Sequence, residues 1–99
     1  MKKQKEGLAA LRNVGKATLK DLHLLGIETV EELATQDPTH LYKTLEAITG
    51  PQDPCVWDVF AAIIHEAKTG EATNWWTWTA HRKKLQLAGK LQAIKPSKP

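Results

Sequence analysis

The residues Asn13-Val14-Gly15-Lys16 interrupt an apolar pattern of Leu8 and Leu11 before it resumes at Leu19, Leu22 and Leu25. Asn and Gly tolerate left-handed backbone, so the interruption reads as a tight turn entering a helix at Lys16. The first turn of any helix leaves backbone N–H groups unpaired at its positive end, where an anion can accept from them. Lys16 and Lys20, one turn apart, add charge on the same side. A second constellation lies further on, where Trp75, Trp76 and Trp78 precede Arg82-Lys83-Lys84. Aromatic faces beside cations are the parts from which single-strand binders are built. The same tryptophans also suit a lid over the helices with indole N–H groups at its rim. The lid is the preferred reading for Trp57 and two of the strap tryptophans, leaving one exposed tryptophan as a contact.

Other reactive side chains form no site. Cys55 stands alone among four scattered histidines, with no CxxC and no HxxxH pair, so no metal is expected. Asp53 beside Cys55 opposes any lowering of the thiol pKa by a helix start, and a structural cysteine is expected. The carboxylates fall at capping positions or on solvated faces, without an acid–base dyad. No catalytic residue and no cofactor are expected.

The elements that must position these residues are short. Ninety-nine residues, 41% hydrophobic and 25% charged, describe one globular domain. No apolar run approaches the roughly 18–20 residues of a membrane span, so no membrane partner is expected. A single cysteine suits the cytoplasm. The net charge of +3 is uneven: the ends, residues 1–5 and 82–99, hold nine cations and no acid. Residues 6–81 hold five basic and eleven acidic side chains. Basic arms on an acidic body point to polyanion contact by the arms.

No stretch alternates apolar and polar residues as a strand does, and Gly and Pro punctuate the chain into five short helices. The first is expected over Gln4–Leu11 and the second from Lys16 to Leu25, stopped by Gly26. Thr29-Val30-Glu31-Glu32 spells a capping box for a short third helix, with Ile27 and Leu33 as apolar neighbours of the cap. Asp37-Pro38 starts the fourth, which carries Leu41, Leu45 and Ile48. Asp53-Pro54 starts the fifth, which faces Val56, Phe60, Ile63, Ile64 and Ala67 inward to about Lys68. Residues 74–79 read as an irregular or extended strap, with a short helix following from Thr79. The domain is expected over residues 1–84, with residues 85–99 a basic tail, flexible or weakly helical.

The run Leu8–Leu25 resembles the helix-hairpin-helix DNA-binding motif. Asn13 stands where that motif commonly has its first Gly, and Leu19 where it has a small residue. Asn13-Val14-Gly15-Lys16-Ala17-Thr18-Leu19 is also similar to the DNA-contacting hairpin of the bacterial RNA polymerase α subunit. The resemblance implies a backbone phosphate held by the amides of Val14, Gly15, Lys16 and Ala17, with Val14 as the buried plug. Leu25-Gly26-Ile27 and Thr29–Leu33 resemble the continuation that follows such hairpins, and Asp53–Phe60, Trp76-x-Trp78-Thr79 and Arg82-Lys83 resemble a small bacterial family of pathogenicity-locus or mitomycin-resistance type. That resemblance covers roughly residues 8–84 and implies an all-α, SAM-like helix-hairpin-helix domain with a Trp-rich strap and a basic C-terminal tail. The implied function is weak, sequence-independent binding of DNA, double-stranded by expectation, without catalysis. The nucleic-acid contacts would be Asn13, Val14, Gly15, Lys16, Ala17, Lys20, Arg82, Lys83 and Lys84. The competing reading is a SAM-like protein–protein module docking a protein partner through the Trp strap or the tail.

Overall fold

The computed structural model describes residues 7–89. Among these the regular elements are all helical: α1 (Lys16–Leu24), α2 (Val30–Ala34), α3 (Pro38–Thr49), α4 (Cys55–Thr69) and α5 (Thr79–Leu87). Two short 3-10 turns, Leu8–Ala10 and Trp75–Trp78, precede α1 and α5. Lys2, Lys3, Lys5, Lys90, Lys95 and Lys98, the outer cations of the two basic arms, lie outside the described residues.

Local cap chemistry sets most of the boundaries. Thr29 Oγ1 accepts from the Glu32 amide at 3.0 Å while Glu32 Oε1 accepts from the Thr29 amide at 3.2 Å, closing the capping box of α2. Asp37 Oδ2 accepts from the His40 amide at 3.0 Å, with Pro38 in the first turn of α3. Asp53 Oδ1 accepts from the Cys55 amide at 2.9 Å where α4 begins. At the end of α1, Gly26 takes φ 80°. Its amide donates to the His23 carbonyl at 3.0 Å and the Ile27 amide to that of Leu22 at 2.9 Å. That paired closure needs left-handed backbone, hence the glycine.

The central helix is α4, against which α2, α3, α5 and the Trp-bearing turn all pack. Trp57 and Phe60–Ile64 are buried on it, joined by Leu22 of α1, Ile27, Leu33 of α2, and Leu41, Tyr42 and Leu45 of α3. Each fully buried Leu, Ile or Phe contributes about 1.5–3 kcal/mol, and this shared core fixes the otherwise short helices.

Three sequence expectations change. Of the helix expected over Gln4–Leu11, the described part is one 3-10 turn, because Leu11 is extended (φ −71°, ψ 145°) and Gly7 supplies no side-chain cap. The Trp strap is not extended but a 3-10 turn, closed by the Thr77 amide on the Asn74 carbonyl at 3.0 Å and running directly into α5. Three residues per turn put Trp75 and Trp78 on one side, both half-buried, and leave Trp76 59% exposed. In an extended strap, Trp76 and Trp78 would have shared a side instead. Ile48 lies beyond the core in the last turn of α3 and is exposed. The helix expected after Thr79 is present, and it crosses residue 84 with Leu85 half-buried against the core.

Candidate nucleic-acid interface

The hairpin between Leu11 and α1 turns at Asn13, whose φ of 76° is the one left-handed non-glycine backbone among the described residues. The Val14 amide donates to the Leu11 carbonyl at 3.3 Å, which removes it from the four donors expected from the sequence. Its side chain is half-buried against the core, as a plug requires. The amides of Gly15, Lys16, Ala17 and Thr18 have no acceptor among the described residues, and α1 has no side-chain cap. The starts of α2, α3 and α4 are each met by a side-chain oxygen.

Gly15 sits in ordinary extended backbone (φ −103°, ψ −169°). A Cβ built on it would meet nothing within 4 Å. Neither the chain path nor packing requires a glycine there. Gly15, Lys16, Ala17 and Lys20 are all exposed. Lys16 and Lys20 flank Leu19, His23 and Leu24 around a shallow depression of about 430 Å³ on α1. Burial pushes the Asp21 carboxyl up from its ordinary value, against the opposing charge of Lys20.

Polar bonds tie the hairpin to the strap. Asn13 Nδ2 donates to the Thr73 carbonyl at 2.8 Å and Asn13 Oδ1 accepts from the Trp75 amide at 3.3 Å. Arg12 Nη1 donates to Asn74 Oδ1 at 3.0 Å, and the Arg12 amide donates to Glu66 Oε1 at 2.9 Å. The Asn13 side chain is therefore a buckle between two segments. Between Arg12–Gly15 and Asn74–Trp76 runs an open groove of about 610 Å³, with Val59 of α4 also lining it. Trp75 and Trp76 meet edge to face, centroids 5.6 Å apart at 83°. The Trp78 indole donates to Thr73 Oγ1 at 2.9 Å, and the Trp57 indole to Thr39 Oγ1 at 3.0 Å.

The structure splits the cationic run. Arg82 Nε donates to Asp58 Oδ1 at 2.9 Å and its Nη2 to Asp58 Oδ2 at 3.3 Å, while Thr79 Oγ1 donates to Oδ2 at 2.7 Å. Asp58 is fully buried and the Arg82 side chain only 11% exposed, so this guanidinium holds α5 to α4. The hydrogen bonds to Asp58 raise the Arg82 pKa above its ordinary value despite burial. Lys83 and Lys84 remain exposed. Sequence reasoning did not single out Asp58; the signal was a carboxylate set inside the apolar run Val56–Phe60.

Cys55 is half-buried, and burial pushes its thiol up, reinforced by a hydrogen bond and charge from Asp53. The Trp78 ring neighbours those of His65 and His81, at 5.2 and 4.9 Å, and His65 Nε2 meets Glu71 Oε1 at 2.8 Å. Among the described residues no three His, Cys, Asp or Glu side chains are grouped to hold a metal ion, and no helix is long and apolar enough to cross a membrane.

Comparison with known proteins follows the same stretch of chain. The family pattern described as "Pathogenicity locus" (Cdd1) matches residues 1–84. The chain is 35% identical over 83 residues to mitomycin resistance protein McrB of Streptomyces lavendulae, covering 83% of this chain and 78% of that protein. No solved structure matches it.

Proposed function

The chain belongs to the pathogenicity-locus (Cdd1) family, and from that premise and the geometry of its hairpin we propose that it is a non-catalytic, sequence-independent DNA-binding protein of the SAM-like helix-hairpin-helix kind. The observation that carries this reading is the start of α1. Its four leading amides lack acceptors among the described residues, its capping residue has no side chain, and two exposed lysines stand beside it. A phosphate oxygen accepts from such amides with favourable dipole alignment. Gly15 lets the strand approach the backbone closely, a role consistent with a glycine that the fold does not itself need. Lys16 and Lys20 flank the phosphate, and the exposed Lys83 and Lys84 extend the reach; Arg82 leaves the contact set because Asp58 holds it.

An acidic body confines contact to this edge and the arms, so binding is weak. With roughly three to five phosphates neutralised, the slope of log affinity against log salt is about −3 to −4, with Kd on the order of 10⁻⁴–10⁻⁶ M at physiological salt. The test is fluorescence anisotropy of a labelled duplex at about 50 and 200 mM salt, comparing the parent with Gly15→Asp. Asp caps a helix at least as well as Gly, so the variant folds as stably as the parent or more so. Its carboxylate meanwhile occupies the anion site. Binding is expected to fall at least several-fold with the thermal melt unchanged or raised. Unchanged affinity removes the hairpin from the mechanism, and salt-insensitive behaviour favours the protein-docking module instead.

A further inference from the structure

The groove between hairpin and strap has a chemistry that a backbone phosphate does not use. Trp76 is 59% exposed, yet it is not a loose side chain. Trp75 braces it edge-on, and its 3-10 turn is pinned by Asn13 at one end and by the Trp78–Thr73 bond. A large aromatic face held in place in water is poised for stacking. Arg12 adds a planar cation, with one arm fixed on Asn74 Oδ1. That bond leaves the Asn74 carboxamide N–H₂ without an acceptor among the described residues. Val14 and Val59 supply apolar surface, and the volume of about 610 Å³ falls within the range of small-ligand sites. Gly15 both lines this groove and caps α1, so an aromatic site and an anion site meet at one residue. One nucleotide has that same adjacency of base and phosphate.

We infer that the groove takes an unpaired nucleobase, stacked on Trp76 beside Arg12, from the strand whose phosphate meets the α1 amides. A base within a duplex has both faces covered by its neighbours and cannot present one to an indole. The ligand class is accordingly DNA carrying a single-stranded stretch, such as an overhang or a gap, in preference to uniform duplex. Arg12 stacks or bridges to phosphate as guanidinium planes do, and the Asn74 amide donates to a base carbonyl. This rests on the phosphate contact proposed above.

The test uses the full chain and three labelled DNAs: a blunt duplex, the same duplex with a short thymidine overhang, and the same with an abasic overhang of equal length. The two overhangs carry the same phosphates and differ only in bases. The thymidine form is expected to bind about ten-fold tighter than the abasic form, the scale of one or two stacked bases. Trp76→Ala brings that ratio to about one and Trp76→Phe restores part of it, with thermal melts confirming that both variants fold. Equal affinity for the two overhangs, or a thymidine preference that survives Trp76→Ala, overturns the inference. If that failure comes with salt-dependent, Gly15-sensitive binding of all three DNAs, the phosphate contact stands and only the base site falls. A Trp76-dependent preference that ignores Gly15→Asp upholds the base site and overturns the phosphate contact. No binding of any of the three at low salt overturns both.

Discussion

Replacing Arg82 by methionine asks whether the first cation of the Arg82-Lys83-Lys84 run belongs to the fold or to the ligand. Asp58 is fully buried and accepts at 2.9 and 3.3 Å from Arg82 and at 2.7 Å from Thr79. Methionine keeps most of the apolar stem and removes both guanidinium bonds, leaving the carboxylate with the Thr79 hydroxyl alone. Removing one partner of a buried ion pair costs about 3–5 kcal/mol, since the remaining charge is stranded. A chain of this length is stable by about 5–15 kcal/mol, so the variant loses about a fifth or more of its margin. At roughly 4–8 °C per kcal/mol, the melting temperature falls by roughly 12 °C or more. The raised Arg82 pKa gives the pair's pH dependence its sign. Arg82's own contribution is fully present below its unfolded-state value and is lost as the pH rises through the still higher folded value. The loss in the variant is therefore the same at every neutral pH. Circular dichroism melts measure it, and the double variant Arg82→Met, Asp58→Leu recovers most of it by removing the stranded charge. DNA affinity of Arg82→Met, read well below its melting point, stays within about two-fold of the parent, whereas losing a phosphate-contacting lysine such as Lys83 lowers the salt slope by about one. A melt within a few degrees of the parent would refute the buried-pair argument. A folded variant with ten-fold weaker DNA binding would return Arg82 to the contact set.

Two further outcomes follow from the hairpin and from α3. Asn13→Gly keeps the left-handed backbone but loses the bonds to Thr73 and Trp75, a cost of about 1–2 kcal/mol; Asn13→Ala adds about 1–2 kcal/mol of backbone strain. Urea unfolding should rank Asn above Gly above Ala, and equal stability of the two variants would deny the strain at this position. Tyr42, the only tyrosine in the chain, is pushed from 10.0 to about 12, first by burial and then by the charges of Glu46 and Asp53. Its neutral form donates to the Gln52 carbonyl at 2.9 Å. Stability is fully present below pH 10 and falls by about 2–3 kcal/mol as the pH rises toward the folded-state value. Phenolate absorbance should therefore appear together with loss of the helical signal, and Tyr42→Phe should flatten this alkaline step. Phenolate formed near pH 10 in a fully helical protein would contradict the burial argument.

The parts of the fold that the sequence made legible are those whose chemistry closes within a few residues. Thr29 and Glu32, Asp37 before Pro38, Asp53 before Pro54 and the Gly26 closure all act on backbone groups two to five positions away. What was misread depends on partners that spacing cannot supply. The 3-10 form of the Trp strap is anchored by Asn13, 62 residues from Trp75, and the fate of Arg82 is decided by Asp58, 24 residues earlier. A period-two reading of Trp75-Trp76-Trp78 had no means of knowing that the segment runs into α5 as one continuous coil. The local donors of the hairpin were legible in the same way as the caps, except for Val14, whose amide turns back onto Leu11.

Asn13 links these levels. In the commoner spelling of such a turn a glycine would serve, since all the backbone needs is positive φ. Asparagine reaches that conformation too and brings two polar ends, both of which are bound to the strap. Arg12 adds a third long-range bond through Asn74 and a fourth through Glu66. The hairpin is thus held by the segment that carries Trp76, while the amides of Gly15–Thr18 are left without acceptors among the described residues. A donor set fixed before the anion arrives loses little freedom on binding, which is how a short hairpin reaches useful affinity. Loosening the strap should therefore weaken phosphate binding even though no strap residue touches the phosphate. For the Asn13→Gly variant this means a loss of DNA affinity that parallels its loss of stability, with the salt slope unchanged because no cation has been removed.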